Sequence, residues 1–161
     1  MFCSLKVAAL SVLALAAGQA LAESHTVTFD NRCGRGTPML ISQTGAVLST
    51  GGAYTINGPL RGAIAYLQTG NCGFNGERCT LVETTLVNPS TAGSGSSTDL
   101  SLIAPHSFSV TTGFGYVGAC APAGADCNNA NCNTAFHVPT DTFVQVACQK
   151  DNANLVITFC L

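Results

Sequence analysis

The 161-residue chain carries six Lys or Arg against eight Asp or Glu, a formal net charge of −2, and only 9% of its residues are charged. The basic residues are scattered with no run among them, which argues against nucleic acid as a partner. Nine cysteines and 17 glycines point away from stable helices and toward a disulfide-bonded β protein.

Lys6 and the amino terminus precede an apolar run from Val7 to Ala17, which ends at the small-residue pattern Ala20-Leu-Ala22. This predicts a signal peptide over residues 1–22 and a secreted, extracellular domain over 23–161 with no membrane anchor, because the run is too short for a comfortable span. Cleavage would remove Cys3 and leave Cys33, Cys72, Cys79, Cys120, Cys127, Cys132, Cys148 and Cys160. Eight cysteines in an oxidising compartment predict four disulfides, although they allow 105 connectivities and spacing alone does not choose. Metal is the rival use. No pair shows C-x2-C spacing and only His25, His106 and His137 offer imidazoles, so neither a metal nor another cofactor is expected.

His25-Thr-Val-Thr-Phe29 alternates as a half-buried strand and stops at the turn formers Asp30-Asn-Arg-Cys33. Short strand-like runs follow at 39–42, 46–49, 54–57, 63–68, 81–87, 100–103 and 108–111, broken by Gly45, Gly51-Gly52, Asn57-Gly58-Pro59 and Gly70. Between them, Asn88 to Ser97 has no apolar residue to pack with beyond a single alanine and reads as an exposed, mobile loop; 124–133 reads as irregular. The last two runs, Phe143 to Cys148 and Leu155 to Cys160, flank a polar turn and read as a hairpin. In the second of them neither face is strongly polar, which predicts a strand interior to a sheet. The rhythm as a whole indicates an all-β chain, an antiparallel sandwich or barrel forming one domain.

Taken together, Asp30-Asn-Arg-Cys33, Gly51-Gly-Ala-Tyr-Thr-Ile-Asn57, Thr69-Gly-Asn-Cys72-Gly, Cys132-x-Thr-Ala-Phe136 with Asp141, Val146-x-Cys148 and Thr158-Phe-Cys160 resemble the thaumatin-like proteins, in the right order and over most of the mature chain. The large disulfide-rich insertion of full-size members is missing between Cys127 and Cys132, so the chain resembles the small type found in cereals and fungi. The resemblance implies an antiparallel β-sandwich stapled by Cys33–Cys160, Cys72–Cys79, Cys120–Cys148 and Cys127–Cys132.

It also implies an acidic face. Glu83, Asp99 and Asp141 stand where full-size members carry the carboxylates of their cleft, and the alternation around Glu83 and Asp99 turns both outward, as surface groups. The family's arginine near Leu67 is absent, with Arg61 and Arg78 the nearest basic residues, and without a second domain the carboxylates are expected to line an open face. If the strands of Glu83 and Asp99 pair, their like charges need compensation, from Arg78, a cation or a ligand. Nucleophilic catalysis finds no Gly-x-Ser-x-Gly elbow, and the neighbours His137 and Asp141 read as loop residues.

The resemblance therefore implies a monomeric, secreted protein that binds cell-wall polysaccharide, a β-glucan, in a defence-like or antifungal role. Tryptophan is absent, so stacking on sugar rings falls to Tyr54, Tyr66, Tyr116 or a phenylalanine. The alternative is a weak β-1,3-glucanase with Glu83 as acid and Asp99 or Asp141 as nucleophile or base.

Overall fold

Strand β12 (Asn154–Phe159) lies at the centre of a five-stranded sheet, between β1 (Ser24–Asn31) and β8 (Thr112–Val117). Leu155, Ile157 and Phe159 alternate inward and are fully buried, while Val156 and Thr158 on the other face are half-buried. The edges of this sheet are β4 (Tyr54–Asn57), beside β1, and β9 (Gly124–Cys127), beside β8. The computed structural model describes residues 22–161, so the expected signal peptide, apart from Ala22, lies outside the described residues.

The facing sheet has β5 (Leu60–Gln68), β6 (Leu81–Leu86) and β7 (Ser96–Ser101) at its middle. On one side β5 pairs with β2 (Thr37–Ile41) and β2 with β3 (Val47–Ser49); on the other, β7 takes both β10 (Ala135–Phe136) and β11 (Val146–Cys148). The two sheets close over a core that includes Val82, Leu86, Leu100, Phe114, Leu155 and Phe159. The chain is all-β, a two-sheet sandwich, with no helix among the described residues. The disulfides are Cys33–Cys160, Cys72–Cys79, Cys120–Cys148 and Cys127–Cys132.

Several features depart from the sequence reading; residues 108–111, read as a strand, lie outside any strand, and Gly124–Cys127, within a stretch read as irregular, form β9. Both sheets are mixed, not purely antiparallel: β1 runs parallel to β12, with Val27 opposite Leu155 and Asn31 opposite Phe159, and β10 runs parallel to β7. The last two strands form no hairpin, because both edges of β12 are occupied by β1 and β8, and β11 instead joins the opposite sheet. The link between them thus crosses from one sheet to the other. Finally, the stretch from Asn88 is not featureless coil. Ser94 Oγ accepts the N–H groups of Ser90 and Thr91, Gln149 Oε1 accepts those of Gly93 and Gly95, and Ser96 already begins β7. Polar side chains there supply the anchoring that apolar packing cannot.

On the outer face of the seven-stranded sheet, the Cys72–Cys79 loop folds over Ile41, Tyr66 and Leu81 to make a second small apolar cluster, and the Tyr66 hydroxyl donates to the carbonyl of Phe74 at 2.8 Å. That loop covers part of the face. The neighbouring part holds the carboxylates.

Candidate functional site

Outward positions on three adjacent strands bring Ile64, Glu83 and Asp99 into one row: Ile64 pairs with Glu83 across β5 and β6, and Glu83 with Asp99 across β6 and β7. Directly opposed residues in an antiparallel pair have Cβ atoms about 4.5–5.5 Å apart, so the two carboxyl groups are close neighbours. They form the floor of a groove of about 410 Å³. Its walls are Ile103 and Phe136 at one end, Thr85 and Ser97 at the other, with Pro139 and Gln145 from the segment that joins β10 to β11.

That segment changes the character of Asp99. The sequence reading made it a surface group on an open face, but it is only 7% exposed, because the segment joining β10 to β11 brings Pro139 and Gln145 against the groove beside it. Asp99 Oδ2 receives one long contact, 3.4 Å from Nε2 of Gln145, and Oδ1 is buried with no hydrogen-bond partner. Burial, and then the charge of Glu83, push the Asp99 carboxyl up to about 7, against a small opposing effect of Gln145. Glu83, by contrast, is exposed.

Asp141 is not brought to this pair. It does not line the groove; its Oδ2 accepts the backbone N–H groups of His137 at 2.7 Å and Val138 at 3.0 Å, which hold its carboxyl below the usual range. The carboxylate closes the turn that carries Pro139 into the groove wall, a positioning role. The His137 ring turns away from it, with Nε2 at 2.8 Å from the Cys132 carbonyl. Neither arginine compensates the pair: Arg78 donates through Nε to the carbonyl of Asn71, Arg61 is exposed, and neither lines the groove.

Of the aromatic residues named for stacking, Tyr66 and Tyr116 are buried with their hydroxyls hydrogen-bonded, and the groove's aromatic residue is Phe136. Gln145, Pro139 and Ile103 were not foreseen as lining. Nothing local in their sequence marks them, since they reach the groove only through the path of the connecting segments. Among the described residues no group of three or more His, Cys, Asp or Glu side chains could hold a metal ion.

No family model and no characterised protein matches the sequence. Among solved structures, the fold is similar to that of the protein elicitor MoHrip2 from Magnaporthe oryzae, with a TM-score of 0.50 and 11% sequence identity over 87% of this chain and 100% of that one. At that identity the likeness concerns the fold. The resemblance to thaumatin-like proteins rests on the quoted residues alone.

Proposed function

We propose that this chain is a small, secreted protein of thaumatin-like type that binds an uncharged cell-wall polysaccharide, a β-glucan, in the groove over Glu83 and Asp99, and that it acts in a defence-like or elicitor-like encounter. The observation that carries the reading is the groove itself: paired carboxyl groups on its floor, an aromatic side chain at one end, and hydroxyls of Thr85 and Ser97 among its lining residues. Sugar chains are bound by that mixture, apolar ring faces against an aromatic and hydroxyls against carboxyl and hydroxyl groups. Four disulfides suit an extracellular life, and the similarly folded MoHrip2 is described as a protein elicitor.

A second reading, a weak β-1,3-glucanase, is favoured by one observation. Two neighbouring carboxyl groups whose environments differ, one buried and one exposed, meet the first condition for an acid and a base. The environment reverses the roles expected from sequence: Asp99 would be the acid and Glu83 the nucleophile or base. Asp141 has no place in that pair.

The test is retention of the parent protein on insoluble β-1,3-glucan, chitin and cellulose, alongside release of reducing sugar. Binding predicts retention on β-1,3-glucan, weakened by Glu83→Gln and by Phe136→Ala, with negligible sugar released. Steady turnover abolished by Glu83→Gln at unchanged retention would establish the enzyme. Retention indifferent to both substitutions would remove the groove from consideration.

A further inference from the structure

Asp99 Oδ1 is a buried carboxyl oxygen without a partner, and the group opposite it is another carboxyl. A native protein does not leave an uncompensated charge in that position, since burial and like charge both penalise it. Three remedies exist: a cation from the protein, a bound metal ion, or a proton. The first is absent from the groove, which no Lys, Arg or His lines.

The surrounding elements confirm the count. β6 contributes Glu83, and β8 contributes Tyr116 from beneath the sheet, a neutral phenol whose own proton burial holds more firmly. The segment after β10 carries His137 and Asp141, engaged with Cys132 and with backbone N–H groups respectively. β9 carries Asp126, exposed and belonging to the other sheet; β5 carries the exposed Arg61 outside the groove; β11 has no titratable side chain beyond its disulfide-bonded cysteine. A metal ion such as calcium asks for six to eight oxygen ligands, whereas the groove offers two carboxyl groups, one amide and the neutral hydroxyls of Thr85 and Ser97, and no third carboxylate or imidazole joins them among the described residues. The proton remains.

We infer that Asp99 carries a proton beside the exposed Glu83, and that this makes the groove selective for uncharged polyhydroxylated chains over uronate-bearing ones. The inference rests on the polysaccharide reading above for its ligand, but not for its proton. A protonated Asp99 donates one hydrogen bond, and Glu83 beside it accepts. Adjacent hydroxyls of a neutral sugar, each both donor and acceptor, match that pair. A uronate brings a second negative charge beside Glu83, into a groove with no cation to receive it. Loss of the Asp99 proton as pH rises removes the donor and doubles the charge on the floor, so retention falls on the alkaline side.

The experiment has two arms. In the first, carboxyl carbons of Asp and Glu are labelled and their chemical shifts followed through pH in the free protein. Asp99 should titrate near neutrality, and Glu83→Gln should lower its midpoint. In the second, retention on insoluble β-1,3-glucan and on polygalacturonate is measured at about pH 5 and about pH 8.5, two values chosen to bracket the shifted group. The glucan should be retained at the lower pH and roughly tenfold or more weakly at the higher, and polygalacturonate at neither. Asp99→Asn, with an amide donor at every pH, should make glucan retention indifferent to pH.

An Asp99 carbon that titrates in the ordinary carboxylate range overturns the inference even where glucan is retained. A parent that retains no polysaccharide while Asp99 titrates near neutrality overturns the selectivity together with the function it rests on, and leaves the proton standing. Retention that requires added calcium and is abolished by a chelator would show that a metal ion occupies the proton's place and overturn the inference.

Discussion

The phenol oxygen of Tyr116, on β8 of the five-stranded sheet, lies 3.2 Å from Oγ1 of Thr98 on β7 of the seven-stranded sheet. The same hydroxyl is 3.0 Å from the carbonyl of Val146, and Thr98 Oγ1 is 2.7 Å from Oγ1 of Thr84. A carbonyl can only accept, so the phenol donates to Val146, Thr98 donates to the phenol, and Thr84 can donate to Thr98. The result is one directional chain of hydrogen bonds linking β6, β7, β8 and β11 through the core.

Tyr116→Phe should therefore destabilise by about 1–3 kcal/mol, because it strands a part-buried carbonyl and a buried hydroxyl while removing little volume. Chemical denaturation of parent and variant would measure it. A cost below about 0.5 kcal/mol would mean that neighbouring groups re-pair on their own.

Cys33 and Cys160 join the ends of the parallel strands β1 and β12 and close a loop of sequence separation 127. In the chain-entropy model, such a loop is worth about 5 kcal/mol, and native disulfides removed from small secreted domains usually cost about 2–5 kcal/mol. The double variant Cys33→Ser with Cys160→Ser should lose at least the lower figure in thermal or denaturant unfolding. The Cys72–Cys79 loop spans only seven positions, and its loss should destabilise less globally while uncovering Tyr66 and Leu81.

Asp141→Ala removes the acceptor that holds the N–H groups of His137 and Val138, and with it the turn that carries Pro139 into the groove wall. Retention on β-glucan should fall severalfold while the unfolding midpoint changes little, a split that separates a positioning residue from a structural one. Because hydrogen bonds from His137 and Val138 hold the Asp141 carboxyl below its usual range, the turn should persist in mild acid and open only as pH falls beneath that range.

Alternation carried much of the fold into view before the structure did. Thr26 and Thr28 against His25 and Val27, or Val156 and Thr158 against Leu155 and Ile157, mark strands whose inner faces are buried as the pattern demands. β8 escaped notice because Gly113 and Gly115 look like breakers. They are instead the outward positions of a strand whose inward residues are Phe114 and Tyr116, and a side chain at Gly113 would collide with Asp126 and Thr158. Which edges are free to pair is not a local property, so the parallel placement of β1 beside β12 and the absence of a terminal hairpin were invisible. The site divides in the same way. Strand parity placed Glu83 and Asp99 on one outer face, whereas the burial of Asp99 depends on where residues 137–145 pass, and no periodicity encodes that path.

The last prediction follows from that burial. In the folded chain Asp99 holds its proton up to about 7, against a reference value of 3.8, because burial and then Glu83 disfavour its charge. The folded state thus binds this proton more tightly than the unfolded state does, and between the two values stability must fall as pH rises. Asp141 acts in the opposite sense: its carboxyl is held low in the folded state, so its contribution is present above the unfolded value and lost as pH drops through the folded one. Glu23 and Glu77, also held below their usual range, act in the same sense as Asp141, so the acid side belongs to several carboxyls and the neutral side to Asp99. The Asp99 effect should amount to the order of 1 kcal/mol once solvent screening on the Glu83 side is allowed for. Thermal unfolding of the parent at a series of pH values should show a midpoint that declines from mild acid to neutrality and then levels off. Asp99→Asn keeps the size of the side chain and removes the titration, so its midpoint should be flat over that interval and exceed the parent's above neutrality. A parent midpoint that instead rises toward neutral pH would place the Asp99 carboxylate in a compensated environment, and the reading of a buried, partnerless oxygen would be wrong.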